Sequence, residues 1–420
     1  MLQRLIYIPI LVLLAATTSV TARAGNAAVE NTGTSAIPMP TPAGERSAQP
    51  HLAVSPQGQV VLNWLEPSAA GITLRFSTMI DGRWSAPRAI SSGDDWFVNW
   101  ADFPSVKPLS NDLWAAHWLV RSADTAYAYD VVVAMSEDQG TTWSTPVTVH
   151  RDGTPTEHGF VSLFADGKDL GVVWLDGRNM AGSHHGEHSH GAAGMTLRAA
   201  SVDTQNQISK EQLIDDLVCD CCQTDVVITA EGPVVVYRDR SDDEVRDIYI
   251  VKQVNGTWQT PDRVSDDNWV IDGCPVNGPA IAANASSIVV AWFTGADDAP
   301  RTRLAWSRDN GERFSNALDL DLERSIGRVD VALLDNGDAI VSWLRKSDKG
   351  AGAISIRRVS QSGDLGPILT IASTSTARRS GFPQMVRDGQ SLIFAWTDVT
   401  DGTTTVNSAR VAVEDIPTAP

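Results

Sequence analysis

Long apolar runs are missing from most of this chain. Beyond residue 24 nothing approaches the roughly 18 continuous apolar residues of a spanning helix, so no helical membrane span is expected. Basic residues are in deficit, with 33 Lys and Arg against 51 Asp and Glu for a net charge of −18. The acidic residues are spread along the sequence, which argues against nucleic acid and anionic membrane as partners and reads otherwise as a solubility feature. Long helical periodicity is absent, which argues against an α-rich fold. Tyrosine and cysteine are scarce, at 5 and 4 residues, so each counts in any chemical reading.

The beginning of the chain gives an address. "MLQRL" carries positive charge, "IYIPILVLLAA" is a short apolar run, and Ala22-Arg23-Ala24 offers a cleavage pattern. Residues 1–24 therefore read as a secretory signal peptide, and the mature protein is expected to be exported, periplasmic or secreted, where disulfides can form. Residues 25–45, small, polar and Pro-rich, read as a flexible leader, part of which can add an edge strand. Residues 46–413 read as one repeated architecture and 414–420 as a tail.

A short strand ending in an aromatic recurs seven times, at Trp64, Trp118, Trp174, Tyr237, Trp292, Trp343 and Trp396, spaced by 51 to 63 residues. Each is preceded by another apolar stretch and a Gly or Asn turn, as in "HLAVSPQGQVVLNW", and followed by a third strand. Most have a fourth. Four short strands per unit of about 50 residues is the signature of an all-β propeller. Seven units point to seven blades, or six if one unit is irregular. The last unit has only three strands, and the leader is the natural source of the fourth, closing the ring and removing an exposed edge.

In such a fold the turns between strands one and two and between three and four share one face, and here they are short. The connections from strand two to three and from blade to blade share the other face. They are long and chemically loaded: "DDWFVNWADFP", "DGTPTEHGF", "DGRNMAGSHHGEHSHGAAG", "VCDCCQTD", "RDRSDDEVRD", "DDNWVIDGCPVNGP", "ERSIGRVD" and "TARRSGFP". Function is expected on that face.

Two of the short turns carry a motif. "SEDQGTTW" contains Ser136, Asp138, Gly140 and Trp143, and "SRDNGERF" contains Ser307, Asp309, Gly311 and Phe314. "DGRW" and "NGTW", ending at Trp84 and Trp258, look like decayed copies. The motif resembles the Asp-box, Ser-x-Asp-x-Gly-x-x-Trp, of the sialidase-like (BNR-repeat) propellers, and it falls where those proteins carry it, between strands three and four. Its physical role is structural, an Asp bonding a tight turn above a buried aromatic. The stretches "EHGFVSL", "VWLDGR", "CDCCQTD", "YRDRSDDEVRDIY" and "DGCPVNGP" also resemble a bacterial exported group of exo-α-sialidase-like proteins.

That resemblance implies a propeller that holds a glycan or another small anionic ligand, with exo-glycosidase activity by a Tyr nucleophile, a Glu that activates it, an Asp acid/base and three arginines on a carboxylate. The residues that match these types on the loaded face are Tyr237, Arg238, Asp239, Arg246 and Glu157 as catalytic candidates, and Arg178, Arg240, Asp247, Asn277, Arg328 and Arg378 as ligand-binding candidates. The Arg-Ile-Pro motif that usually carries the first arginine is absent. As a repeat aromatic, Tyr237 also has a plain reading as core, and the Arg/Asp alternation in "YRDRSDDEVRDIYI" has one as a salt-bridged loop.

Cys219, Cys221 and Cys222 crowd into four positions, and Cys274 lies in the connection into the next blade. If one of the three bridges Cys274, the remaining two are expected to be neighbours or one residue apart, a strained pairing given strict disulfide geometry. The sequence leaves open one bridge with two thiols, a redox-labile pair, or metal ligands. Nearby, "GSHHGEHSHG" supplies His184, His185, His188 and His190, and imidazole with thiolate suits copper or zinc. Three functions therefore stand side by side: a sialidase-like glycan binder, a copper- or zinc-binding or thiol-redox protein, and an interaction scaffold of the cell envelope.

Overall fold

In the computed structural model, described over residues 30–31, 36–181, 194–284, 287–348 and 350–419, the repeat units become seven antiparallel sheets arranged as blades. The fold is a seven-bladed β-propeller. The inner strands are Ala48–Val54, Ser105–Pro108, His158–Asp166, Asp225–Thr229, Ala280–Asn284, Ser325–Leu333 and Gln384–Asp388. The second strand of each blade carries the repeated aromatic. Trp64, Trp174, Tyr237, Trp292 and Trp343 are fully buried, with Trp118 and Trp396 nearly so. The rings lie between blades, and most find a carboxylate for their polar edge: Trp64 Nε1 donates to Glu66, Trp174 to Asp176, Trp292 to Asp267 and Trp343 to Asp321, at 2.7–2.9 Å. Such a ring removes roughly 150–250 Å² from water, on the order of 4–6 kcal/mol of transfer free energy before ordering costs.

The seventh blade takes its outer strand from the start of the chain. Ile37–Met39 pairs antiparallel with Thr403–Ala412, Ile37 opposite Arg410 and Met39 opposite Ser408. A second N-terminal piece, Glu30–Asn31, adds in parallel to Leu365–Thr374 of the sixth blade. Both cover edges that would otherwise offer unpaired backbone groups.

The two Asp-boxes have matching bonds. Ser136 Oγ donates to Asp138 Oδ1 at 2.8 Å and accepts from Gly140 N at 2.7 Å, and Asp138 Oδ1 accepts from Thr142 N. In the second copy Ser307 Oγ donates to Asp309 and accepts from Gly311 N, both at 2.8 Å.

Blades are tied by polar groups that accept a backbone N–H from the next blade, Asp102 and Asn63 buried and Asp225 and Asp330 half-buried. Asp102 takes Phe160 N, Asp225 takes Ile281 N, Asp330 takes Met385 N, and Asn63 takes Val106 N. The three aspartates line a central cavity of about 260 Å³. Phe103 and Phe382 line it, and Trp100 stacks on Phe382 at 5.9 Å.

The loaded face is uneven. Strands two and three are joined by two residues in the first blade and two in the seventh. The long connections, 122–128, 177–194, 239–247 and 295–300, belong to blades two to five. The chemistry gathers beside the ring axis, over that half of the rim.

Candidate functional site

The connection 219–224 leaves the outer strand Gln212–Val218 of blade three and enters blade four. Cys219 and Cys222 are buried there, Cys221 is half-buried, and Cys274, arriving from the connection into blade five, is exposed. The sulfurs of Cys219, Cys221 and Cys222 all lie within 4.8 Å of one another. Cys219 Sγ and Cys222 Sγ are 2.8 Å apart. Cys274 is not one of these mutually close sulfurs. Three of the four thiols therefore form one cluster, in the connection from blade three to blade four.

The close approach of Cys219 to Cys222 adds a pairing that the sequence reading left out. That reading considered only remainders adjacent or one residue apart. A bridge from Cys221 to Cys274 leaves Cys219 and Cys222, two residues apart in a Cys-x-x-Cys segment, and those sulfurs are the closest pair. All four cysteines are free in this structure.

Guanidinium groups set the electrostatics. Arg246 is fully buried; its Nη1 lies 3.6 Å from Cys219 Sγ and its Nη2 donates to Glu244 Oε2 at 2.8 Å. Glu244 also accepts from Arg240 Nη2 at 2.6 Å, and Arg240 Nη1 reaches Asp220 Oδ2 at 3.2 Å. One carboxylate thus couples two arginines, one facing a sulfur and the other an aspartate inside the cysteine motif. Burial by itself pushes Cys219 up, but hydrogen bonds from Cys221 and Cys222 and the charges of Arg246 and Arg238 outweigh it and hold Cys219 well below the ordinary thiol range. Hydrogen bonding to Cys219, Cys222 and Cys274 holds Cys221 well above that range, and burial, then the bond to Cys219, pushes Cys222 up. The arrangement favours a thiolate at Cys219, the reactive form of cysteine, beside two thiols and a guanidinium.

The other candidates are placed as follows. Tyr237 is a core residue whose hydroxyl donates to Asp215 at 2.5 Å. Arg238 is buried; its three donor nitrogens go to the carbonyls of Asn277, Arg246 and Phe293, and it lies over Trp269. Arg328 is buried, bonded to Ser380 Oγ and Gly381 O, and stacked on Trp100. Asn277 accepts Arg328 N, and Asp247 accepts Asn268 N and Trp269 N. Asp239 is pushed up to about 7, mainly by burial and then by Asp215. Arg178 pairs with Asp176 and Glu211 at 2.6–2.7 Å. Arg378 is exposed. Glu157 accepts from Tyr129 Oη at 3.3 Å and is pushed up to about 8 by burial and then by Asp102, with smaller contributions from Asp220 and Cys274.

His184, His185, His188 and His190 lie outside the described residues. The chain re-emerges at Gly194, where an added Cβ would sit 3.2 Å from Arg240 Nη1, and Met195 N donates to Asp220 Oδ1. Gly194 and Met195 therefore lie against the cysteine motif.

Asp220 and Glu244 were not singled out by sequence. Asp220 sits inside the cysteine run and Glu244 inside the Arg/Asp stretch, so position alone could have drawn attention to both.

No family model matches the sequence, and no curated protein matches it. Among solved structures the chain is similar to the Hadza microbial sialidase Hz136, at 14% identity over 84% of this chain and 75% of that one, TM-score 0.47. It is also similar to the K499G mutant of NanB sialidase from Streptococcus pneumoniae, at 9% identity over 91% and 95%, TM-score 0.47. A protein of unknown function from Dyadobacter fermentans aligns at 12% identity over 90% and 98%, TM-score 0.48. The chain is a seven-bladed β-propeller by architecture, and its distinctive chemistry is the thiol–guanidinium cluster.

Proposed function

We propose that this is an exported propeller that binds a soft metal ion, copper(I) foremost, through Cys219, Cys221 and Cys222, with Cys274 as the exposed sulfur through which the ion arrives. The observation that carries this is three sulfurs within 4.8 Å of one another around a thiolate held by Arg246. Soft thiolates select copper(I) among common ions. The ion takes the place of the protons that Cys221 and Cys222 share with Cys219, so binding releases protons. The neighbouring arginines offset the negative charge of a monovalent ion bound by several thiolates. A four-thiolate zinc site is less well supported, because Cys274 does not join the group of mutually close sulfurs.

The 2.8 Å approach of Cys219 to Cys222 supports a second reading, thiol–disulfide exchange with a partner dithiol at the exposed Cys274. A glycan or other anionic ligand has weaker support, since Arg238, Arg240, Arg246 and Arg328 are buried and their donors are committed within the protein.

The deciding experiment is anaerobic titration of the reduced protein against a chromophoric copper(I) chelate. One equivalent withdrawn by the protein and lost in Cys219→Ser supports the metal reading. Four titratable thiols with no copper withdrawn would overturn it.

A further inference from the structure

Blades two and three meet over two buried histidines that the cysteine cluster does not use. His150 follows the outer strand Val147–Thr148 of blade two, and His158 opens the inner strand His158–Asp166 of blade three. Their rings stack with centroids 3.7 Å apart and planes 9° apart. The partners of the two rings differ in kind, and they fix where the protons sit. His150 Nε2 accepts from Val131 N at 3.4 Å, so that nitrogen carries no proton. The proton of His150 is on Nδ1, which donates to Asp152 Oδ1 at 2.9 Å. His158 meets only acceptors: Nδ1 lies 3.2 Å from the carbonyl Tyr129 O, and Nε2 lies 3.2 Å from Asp152 Oδ2. A ring with a single N–H would leave one of these buried contacts without a proton. Both nitrogens of His158 donate, and the ring is an imidazolium.

The surrounding charges call for that cation. Asp130 Oδ1, on the third strand of blade two, is 3.8 Å from His158 Nδ1 and 3.7 Å from His150 Nε2. Asp176 Oδ1, at the end of the second strand of blade three, is 3.8 Å from His158 Nε2. With Asp152, three carboxylates surround one ring. The neighbouring cations are shared with further acids: Arg178 pairs with Asp152, Asp176 and Glu211, and Arg198 lies near Asp176 and Glu211. Glu157, the preceding residue, is bonded to Tyr129 Oη. Burial by itself lowers His158, but the bond to Asp152, the charges of Asp176 and Asp152 and the Tyr129 carbonyl outweigh it and hold the ring above the ordinary imidazole range. Thr154 N and Thr154 Oγ1 also donate to Asp152, which anchors that carboxylate within the connection 149–157.

We propose that the His158 imidazolium is a pH-sensitive clasp between blades two and three. Protonated, it ties the backbone of blade two at Tyr129 O, and the connection 149–157 at Asp152, to the inner strand of blade three on which it sits. Loss of its proton removes one of the two donors. A buried acceptor is then unpaired, and three carboxylates surround an uncharged ring. The direction of the pH response follows from the raised position of the ring. The stabilisation is complete below the ordinary value of 6.5 and is lost as pH rises through the higher value in the fold. Opening begins in the connection 149–157, which holds both His150 and Asp152. The clasp shares no residue with the cysteine cluster and does not rest on the metal reading.

The test is nitrogen-15 NMR of the histidine rings in the full, reduced chain, from about pH 5 to about pH 10. The contact between the two stacked rings assigns their signals. Near pH 6.5 both nitrogens of His158 should be protonated, while His150 shows one N–H, on Nδ1. Asp152→Asn, which keeps the shape and removes the charge, should move the His158 titration at least about one pH unit lower. Peptide-level hydrogen exchange, scaled at each pH to the unfolded chain, should show residues 149–158 losing protection as His158 titrates, before the strand Asp169–Asp176 does. A His158 ring with one bare nitrogen at pH 6 overturns the proposal. So does an unmoved titration in folded Asp152→Asn protein, or protection of 149–158 that stays constant while His158 loses its proton.

Discussion

Arg246 places its Nη1 3.6 Å from Cys219 Sγ while the rest of its fork grips Glu244. A fully buried guanidinium so placed favours the thiolate over the thiol. Replacing Arg246 with Gln removes that charge and leaves Glu244 with Arg240 alone. In the reduced protein, thiolate absorbance against pH should then show the first thiol titrating at least about one pH unit higher, and copper(I) affinity should fall about tenfold or more. Breaking the buried pair also costs about 3–5 kcal/mol, read by urea denaturation. Arg246→Lys should restore part of the thiolate and little of the stability, since an ammonium cannot reproduce the fork. An unmoved thiol titration in folded Arg246→Gln protein would show that Cys219 owes nothing to this charge.

Two disulfides should form when the purified protein is oxidised, Cys219–Cys222 and Cys221–Cys274. Peptide mapping by mass spectrometry without reduction reads the pairing directly. Cys274→Ser should leave one free thiol, at Cys221, with the Cys219–Cys222 bridge retained. A bridge between Cys274 and Cys219 or Cys222 would refute the order inferred from the 2.8 Å approach.

The ring of blades was readable because its cause is local and repeated: an aromatic every 50–60 residues ending a strand that must be buried on both sides. The seven positions from Trp64 to Trp396 all lie buried. The Asp-boxes were readable because each is closed within six residues. The candidate site was less so. Arg238 and Arg328 sit in or beside loaded connections, yet both fold back to bind backbone carbonyls and stack on Trp269 and Trp100. Those partners are 30 to more than 200 residues away in sequence. Tyr237 followed its repeat position into the core. The stacking of His150 on His158 depends on how one connection folds between two blades, and no spacing in the sequence announces it.

Stability should fall as pH rises from about 4 to about 7, with Asp102 as one identifiable cause. It is fully buried, and burial pushes its carboxyl from 3.8 up to about 7 against the opposing bonds from Phe160 N and Tyr129 Oη. Between those values the folded chain holds a proton that the unfolded chain has lost. The contribution is therefore complete below about pH 4 and is gone above about pH 7, with a slope of at most about 1.4 kcal/mol per pH unit. Asp102→Asn cannot titrate, yet its oxygen can still take Phe160 N and its amide can face Tyr129. Urea denaturation from pH 4.5 to 8 should give a flatter curve for the variant, gaining on the parent as pH rises. Parallel curves would mean that Asp102 is ionised in the fold.

Gly140 and Gly58 separate two reasons for glycine in the turns. Both have left-handed backbones, at φ +76° and +82°. A methyl group on Gly58 meets nothing within 4 Å, whereas on Gly140 it would stand 2.5 Å from Phe76 Cζ. Phe76 is itself pinned edge-on by Trp114 and Trp143, at 5.9 and 6.1 Å, so it has little room to give way. Gly58→Ala should cost about 1–2 kcal/mol, the backbone term alone. Gly140→Ala should cost that and a further about 1–3 kcal/mol of overpacking, because the Asp-box turn rests on the ring of the preceding blade. Thermal unfolding of the two variants side by side measures the difference. Equal losses would mean that Phe76 moves freely and that this Asp-box does not lock blade two against blade one.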